Sequence, residues 1–155
     1  MSEFLGDAKV FAIEFSSRQD LKQRSGPLQI WLGGKKIGTL DDTSVYSLVL
    51  AQLESIVSKN MDFYSEKTDI FGVYDLIKNG EIDDAGKYFL SLGDSFDDFS
   101  VVAFCSGAEV IFIWELLSEH FFEHDNYPEG LQTSAVPIKA FSAVLNEFRE
   151  IKNFL

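Results

Sequence analysis

The chain has 155 residues, of which 46% are hydrophobic and 14% aromatic, and its net charge is −12. This composition excludes a disordered chain and suffices for one domain with its own core, expected to span residues 1–155. It also excludes a membrane-spanning helix, since no apolar run approaches ~18 residues, and the first residues lack the basic and apolar segments of a signal peptide. The single cysteine, Cys105, excludes an internal disulfide and suits a reducing compartment. We therefore expect a cytoplasmic protein.

The negative charge is concentrated in the middle of the chain. Residues 81–130 contain twelve acidic residues and one basic residue, whereas residues 1–80 contain eleven acidic and nine basic residues. Such a segment repels nucleic acid and anionic membranes, so neither is expected as a partner, and it attracts basic proteins. The alternative is that the charge only keeps the surface solvated and the protein soluble.

Three strands are predicted in the first 40 residues, at 9–17, 27–32 and 35–40. In the first strand every second residue from Phe11 to Phe15 is large and apolar, which gives the strand one aromatic face toward the core. The Gly33-Gly34 pair between the second and third strands predicts a two-residue hairpin turn. The polar residues 18–26 are predicted as a loop.

Two helices are predicted next, at 45–59 and 70–78, from apolar residues that recur at helical spacing. The first helix has several candidate N-cap residues, which are Asp41, Asp42, Thr43 and Ser44. For the second helix, the candidate caps are Thr68 and Asp69, and Asn79-Gly80 is the predicted end.

The most apolar part of the chain is a predicted hairpin at 99–105 and 110–117, which turns at Ser106-Gly107-Ala108. Shorter strands are predicted at 88–92 and 134–136. A last helix begins at Pro137, and its apolar stripe comprises Phe141, Val144, Leu145, Phe148 and Ile151. The element order βββααβββα predicts an α+β fold, with a largely antiparallel sheet of about six strands and helices packed mainly on one face.

Patterns typical of catalysis or metal binding are weak in this sequence. His120 and His124 would share one face of a helix, but Phe121 stands where a metalloprotease has its glutamate, which favours two exposed loop histidines. Asp97 and Asp98 are adjacent, so in an extended chain they point to opposite faces and would not converge as an acid and a base. The lone cysteine lies within a predicted strand and has no basic neighbour in sequence. We therefore predict no catalytic residue, no metal and no cofactor.

Three blocks of sequence look familiar by their order and spacing. The blocks are Phe11-Ala12-Ile13-Glu14-Phe15, then Ile30-Trp31-Leu32-Gly33-Gly34-Lys35-Lys36-Ile37-Gly38, and Phe96-Asp97-Asp98-Phe99-Ser100 together with Phe112-Ile113-Trp114-Glu115-Leu116. Through them the chain resembles bacterial immunity proteins of polymorphic-toxin and contact-dependent growth inhibition systems. The resemblance implies a cytoplasmic protein that neutralises one cognate toxin C-terminal domain by binding it, without catalytic turnover. It transfers no catalytic residues to this chain.

On that interpretation, the acidic residues around the hairpin form a candidate rim that faces the toxin, and neighbouring aromatic residues act as anchors. The candidates are Asp94, Asp97, Asp98, Glu119, Phe121, Phe122, Glu123, Asp125 and Tyr127. The charge favours a basic, nuclease-type toxin, although the same residues could simply solubilise a loop. Two other functions stay open, namely an acidic adaptor or nucleic-acid mimic that binds many basic proteins, and a small carboxylate-based hydrolase. The oligomeric state is not predicted.

Overall fold

The computed structural model describes residues 2–61 and 69–153. The strands within these residues are β1 (Glu3–Asp7), β2 (Phe11–Phe15), β3 (Ser25–Leu32), β4 (Lys35–Val45), β5 (Phe99–Ser106), β6 (Glu109–Leu116) and β7 (Gln132–Pro137). The α-helices are α1 (Arg18–Leu21), α2 (Tyr46–Ser55), α3 (Ile70–Lys78) and α4 (Ile138–Asn153). Short 3-10 helices occupy Ile56–Ser58, Ala85–Tyr88 and Asp94–Phe96. Across the two described ranges, the helices are too short or too polar to cross a membrane.

The first sheet contains β1 to β4 in chain order, and each strand is antiparallel to its neighbour. The predicted turn between β3 and β4 is confirmed. Gly33 and Gly34 have φ angles of +59° and +82°, left-handed values that glycine adopts without a Cβ clash and that this hairpin turn requires. Strand β1 was not predicted, because it buries only Leu5 and shows no apolar alternation.

Strand β4 is longer than predicted, and this changes the role of the acidic pair that precedes α2. Asp41 and Asp42 lie within the strand, whose pairing with β3 continues to the partners Ser25 and Val45. The N-cap of α2 is Val45, which makes no side-chain capping bond, so the predicted cap is wrong. The register with β3 shifts between Thr39 and Ser44, and side chains serve the backbone there: the Asp41 N–H donates to the Thr39 hydroxyl at 3.1 Å and the Thr43 N–H donates to the Asp42 carboxylate at 2.8 Å.

The predicted bounds of α3 are confirmed, and so is one of its two candidate caps. The Asp69 carboxylate accepts a hydrogen bond of 3.1 Å from the backbone N–H of Phe71, while Thr68 lies outside the described residues. Asn79 and Gly80, with φ of +70° at the glycine, end the helix as predicted. Residues 18–26, predicted as a loop, instead contain α1 and the start of β3.

The second sheet has the order β5-β6-β7. The predicted hairpin is confirmed as β5 and β6, and its register pairs Val101 with Trp114. The strand predicted at 88–92 is wrong. Tyr88 ends a 3-10 helix, and Phe89 makes an isolated bridge to Val102 of β5 instead of joining a ladder.

The second sheet is buried on both faces. One face packs against the first sheet, α2 and α4 in a core that includes Phe112, Trp114 and Phe141. The other face is covered by α3 and the Ala85–Tyr88 helix. Two buried faces explain why β5 and β6 are unbroken apolar runs rather than alternating ones. The predicted α+β class with antiparallel strands is confirmed, in two sheets with seven described strands instead of one sheet of about six.

Candidate partner-binding surface

The segment of residues 117–131 connects β6 to β7, and we call it the acidic loop. It has no regular secondary structure and carries four carboxylates, at Glu119, Glu123, Asp125 and Glu129. Long loops of this kind in a compact domain usually have a function or are disordered. The contacts at its base show that this loop is held in place.

Asp98, at the start of the hairpin, anchors the first half of the acidic loop. One carboxylate oxygen, Oδ1, accepts a hydrogen bond of 2.7 Å from the backbone N–H of Phe121. The other, Oδ2, accepts bonds of 2.9 Å from the N–H of Phe122 and 2.8 Å from Nε2 of His124. In addition, the N–H of Leu117 donates to the Asp98 carbonyl at 2.8 Å. Four separate bonds therefore tie this loop to one residue at the start of β5.

The environment of Asp98 favours its charged form. The residue is only 5% exposed. Burial alone would raise the pKa of Asp98, but the hydrogen bonds from Phe121, His124 and Phe122 outweigh burial and hold that pKa below its ordinary value. Asp98 is therefore an ionised carboxylate whose charge is met by three donors.

Aromatic packing fixes the second half of the acidic loop. The Phe99 ring lies edge-on to His124 and Tyr127, with centroid distances of 5.0 and 5.3 Å. The Tyr127 hydroxyl donates to the Lys36 carbonyl at 2.6 Å and accepts from Nε1 of Trp114 at 2.8 Å, so it joins the loop to both sheets. Burial raises the pKa of Tyr127 to about 12, and the hydroxyl keeps the proton that it donates.

The anchored loop presents one large apolar side chain to solvent. Phe121 is 87% exposed, and its ring packs edge-on against Phe122 at 5.1 Å. Glu119, Glu123 and Asp125, which lie within four residues of it along the loop, are also exposed. The result is an aromatic side chain within a negative surface, on a loop whose backbone is fixed from below.

Asp94 and Asp97 belong to the same negative region, immediately before the anchor. Both residues are exposed. Partial burial, together with the nearby carboxylates of Asp94 and Asp98, raises the pKa of Asp97. Burial is the larger cause of this shift, and like-charge repulsion at this end of the hairpin adds to it.

Most of the residues proposed from the sequence as a toxin-facing rim are brought to one region, but they do not all face solvent. The exposed ones are Asp94, Asp97, Glu119, Phe121, Glu123 and Asp125. Phe122 and Tyr127 are partly buried. Asp98 is buried and cannot belong to an exposed rim, so its predicted role is corrected to that of an anchor. As a binding surface the remaining set stays a prediction.

His124 is the residue that sequence reasoning misjudged. It was predicted to be exposed, yet it is 8% exposed and bonded to Asp98, whereas His120 does lie at the surface. Nothing in the sequence relates positions 98 and 124, because the contact depends on the fold of the loop. Within the described ranges no group of three or more His, Cys, Asp or Glu side chains is arranged to hold a metal ion.

A cavity of about 600 Å³ opens between the acidic loop and the end of α3. Its lining includes Lys78, Glu115, His120, His124, Tyr127 and Glu129. The Glu115 carboxylate accepts a hydrogen bond of 3.2 Å from the Tyr74 hydroxyl and lies 3.8 Å from Nζ of Lys78. The cavity is thus lined largely by charged and polar groups and is open to solvent.

Comparison with known proteins places this fold among immunity proteins. The structure resembles the crystal structure of CdiI from Burkholderia dolosa AUO158, with a TM-score of 0.58 over 96% of this chain and 99% of that chain. The two sequences are 14% identical, so the likeness concerns the fold alone. Among curated proteins, no relative was found. The sequence model of the family described as Immunity protein 42 matches residues 1–151, and the chain therefore belongs to that family. The resemblance inferred from the sequence is confirmed.

Proposed function

We propose that this protein protects a bacterial cell by binding one cognate toxin domain through the acidic loop, as a stoichiometric inhibitor without turnover. Membership of the Immunity protein 42 family supports the protective role. The observation that carries the choice of surface is Phe121, which is 87% exposed on a loop that Asp98 holds in place. A fixed, exposed aromatic side chain is the kind of anchor that dominates protein interfaces.

Preorganisation makes this loop suited to tight binding. Association loses free energy when loops and side chains become ordered, at about 0.5–1.5 kcal/mol for each immobilised flexible side chain. The backbone of Phe121 and Phe122 is already held by Asp98. Most of the ordering of the loop backbone therefore takes place when the protein folds. Burial of the Phe121 ring against a partner then contributes to affinity with little further loss of conformational entropy.

The charge of the loop indicates a basic partner. Glu119, Glu123 and Asp125 lie within four residues of Phe121, in the segment that holds nearly all the excess negative charge. A nuclease must be positive where it meets nucleic acid, so a nuclease-type toxin would match this surface. Electrostatic steering of that kind raises association rates by about 10–10³-fold at low salt.

The chemistry of the carboxylates supports binding rather than catalysis. A carboxylic acid that acts as a general acid at neutral pH needs a pKa raised by burial. The buried carboxylate of this region, Asp98, has a lowered pKa and gives its oxygens to three donors. It is suited to fix a loop, and the exposed acids around it are suited to attract cations.

The test takes as candidate toxin the C-terminal domain encoded by the open reading frame immediately upstream, and co-expresses it with this chain in a sensitive host. Phe121→Ala should raise the Kd for the toxin domain by about 30-fold or more, the effect of an interface hot spot, and should reduce protection. Phe4→Ala is the matched control, because Phe4 is also exposed, at 46%, but lies in the first sheet. Equal Kd values for the two variants would place the toxin interface elsewhere.

A charge-reversal set tests the steering separately. Changing Glu119, Glu123 and Asp125 to lysine should slow association and flatten its dependence on salt. The control reverses three exposed acids outside the loop, which are Asp41, Glu109 and Glu150. If both triple variants behave alike, only the total charge matters. Capture of many unrelated basic proteins by the parent chain would instead indicate a general acidic adaptor.

A further inference from the structure

We infer that the outer edge of β7 receives an extended segment of the toxin domain, which pairs with it as a fourth strand of the second sheet. This inference rests on the proposed function and deepens it, because it names the form in which part of the partner binds. Strand β7 (Gln132–Pro137) begins directly after the acidic loop, so the edge and the loop are adjacent in the chain. Strand addition of this kind gives affinity through main-chain hydrogen bonds.

Strand β7 has unbonded main-chain groups on its outer side. It is the last strand in the order β5-β6-β7, so it has a neighbouring strand on one side only. The N–H of Ile138, the residue after β7, donates to the carbonyl of Ala108, the residue before β6, at 2.9 Å. Residues of an antiparallel strand alternate between bonding the neighbour and facing away from it, so the N–H and C=O groups of Thr133 and Ala135 face outward. Both residues are exposed, and no group in residues 2–61 or 69–153 accepts a hydrogen bond from either N–H.

Strands β4 and β5 also end their sheets, but other parts of the chain already occupy them. The Lys36 carbonyl of β4 accepts from the Tyr127 hydroxyl at 2.6 Å, and the Asp94–Phe96 helix contacts the same strand. On β5, the Val101 carbonyl accepts from the N–H of Leu90 at 2.9 Å. Isolated bridges join other parts of that edge to segments that precede it. Neither edge is free to accept a strand from a partner.

Strand β1 is an edge strand too, but its sequence protects it. Glu3 and Asp7 are exposed at its two ends, and Gly6 has a φ angle of +93°, which departs from regular strand geometry. Charges and irregularities of this kind keep an edge strand from pairing with another chain. Strand β7 carries no charged residue, and its one protective feature is Pro137 at the far end, which lacks an N–H. An unprotected edge beside the acidic loop is therefore suited to accept a strand.

The charge of the chain favours the toxin over a second copy as the source of this strand. Pairing of two β7 edges would bring together two chains that each carry a net charge of −12, and like charges oppose association. A toxin segment with lysine or arginine at the end nearest the acidic loop would instead approach the carboxylates of that loop, of which Glu129 is nearest in sequence.

Amide hydrogen exchange of the full ¹⁵N-labelled chain, alone and with the candidate toxin domain, tests the inference directly. In the free chain, the amides of Thr133 and Ala135 should exchange at least about tenfold faster than those of Ser134 and Val136, which bond β6. In the complex, exchange at Thr133 and Ala135 should slow by about tenfold or more, because each N–H then donates to the added strand.

A proline variant removes one of these donors without removing a bond to β6. Ala135→Pro should raise the Kd for the candidate toxin domain by about tenfold or more, because it deletes an outward N–H and leaves an acceptor of the partner unpaired. Ala135→Ser keeps the N–H and is the matched control, with a Kd within about twofold of that of the parent. Retained protection of the Ser134 and Val136 amides verifies that β7 still pairs with β6 in each variant.

Several results would overturn the inference. These are slow exchange at Thr133 and Ala135 in the free chain, unchanged exchange there in a complex that forms, or equal Kd values for the proline and serine variants. A dimer of the free chain in sedimentation that Ala135→Pro abolishes would assign the edge to a second copy instead.

Failure here is distinguishable from failure of the proposed function. Weaker binding in Phe121→Ala with unchanged exchange on β7 refutes only this inference. Slowed exchange on β7 together with equal Kd values for Phe121→Ala and Phe4→Ala refutes only the choice of the acidic loop. A parent chain that does not bind the candidate toxin domain refutes both.

Discussion

Replacement of Asp98 by asparagine is the sharpest test of how the acidic loop is held. The substitution keeps the shape of the side chain but removes its charge and replaces one acceptor oxygen by a donor NH₂ group. In the parent, Oδ1 accepts from Phe121 and Oδ2 accepts from both Phe122 and His124. In Asp98→Asn, the single amide oxygen can accept hydrogen bonds only from the donors on its own side. The NH₂ group replaces the other carboxylate oxygen and faces at least one buried N–H donor.

The expected loss follows from these contacts. Hydrogen bonds to a charged group contribute about 1.5–3 kcal/mol each, and a buried donor left without a partner costs about 1–3 kcal/mol. A change of tautomer in His124 can recover one bond, which leaves a net destabilisation of about 3 kcal/mol. At ~2–4 °C per kcal/mol for a chain of this size, the Tm should fall by roughly 6–12 °C.

The effect should depend on pH in a defined direction. The folded-state pKa of Asp98 is lowered from the ordinary value of 3.8, so its charge contributes stability that is fully present above about pH 4 and is lost as the pH falls through the folded-state pKa. Urea unfolding should therefore show the full difference between the parent and Asp98→Asn at pH 7. The difference should shrink below pH 4, where the parent carboxylate becomes protonated.

The neighbouring residue provides the control. Asp97 is exposed and its pKa is raised, first by partial burial and then by Asp94 and Asp98, so its charge is disfavoured in the folded state. Asp97→Asn should leave stability at pH 7 unchanged or slightly increased, within ~0.5 kcal/mol. If the two variants lose stability equally, or if the loss for Asp98→Asn is the same at pH 7 and pH 3, Asp98 is not the charged anchor of the loop.

Two further substitutions test the contacts that surround this anchor and the outer face of the first sheet. Tyr127→Phe should destabilise by about 1–3 kcal/mol in urea unfolding, because it leaves the buried indole N–H of Trp114 without its acceptor. Glu14→Gln should cost about 1–2 kcal/mol at neutral pH, because Gln29 and Trp31 both donate to one oxygen, Oε1, at 2.6 and 2.7 Å, and these bonds lose a charged acceptor. The pKa of Glu14 is lowered, so this loss should also diminish below about pH 4.5, and the Trp31 indole NMR signal should move.

The two tryptophans make these results specific. Tyr127→Phe should shift the indole signal of Trp114 and leave that of Trp31 in place, and Glu14→Gln should do the reverse. A stability loss accompanied by movement of both signals would indicate general unfolding of the sheets. No loss in either variant would show that water replaces these bonds without a net change in free energy.

Those parts of the fold that rest on local patterns could be predicted from the sequence. The Gly33-Gly34 turn, the hairpin from Phe99 and the bounds of α3 each follow from a few neighbouring residues, and each is confirmed. Strand β1 was missed because it is an edge strand whose pairing with β2, not its own pattern, makes it a strand. The acidic pair before α2 was misread because strand β4 runs past it to Val45, where pairing with β3 resumes after a register shift.

The candidate site was predictable in composition but not in arrangement. The charge of residues 81–130 and the aromatic residues of the loop are visible in the sequence. The burial of Asp98 is not, because adjacent aspartates look alike until the fold supplies three donors to one of them. The same contact buries His124, and both corrections follow from one interaction that spans 26 residues. A contact of that length leaves no local signal.

The anchor also explains how an acidic loop can keep an aromatic side chain exposed. A free loop with Glu119, Glu123 and Asp125 would spread under its own charge, and a free Phe121 would fold back onto nearby apolar surface to leave water. Asp98 prevents both, because it binds the backbone N–H groups on either side of the Phe121 Cα and offsets its own charge with three donors. The free energy that fixes the loop on folding is therefore what leaves the Phe121 ring available to a partner.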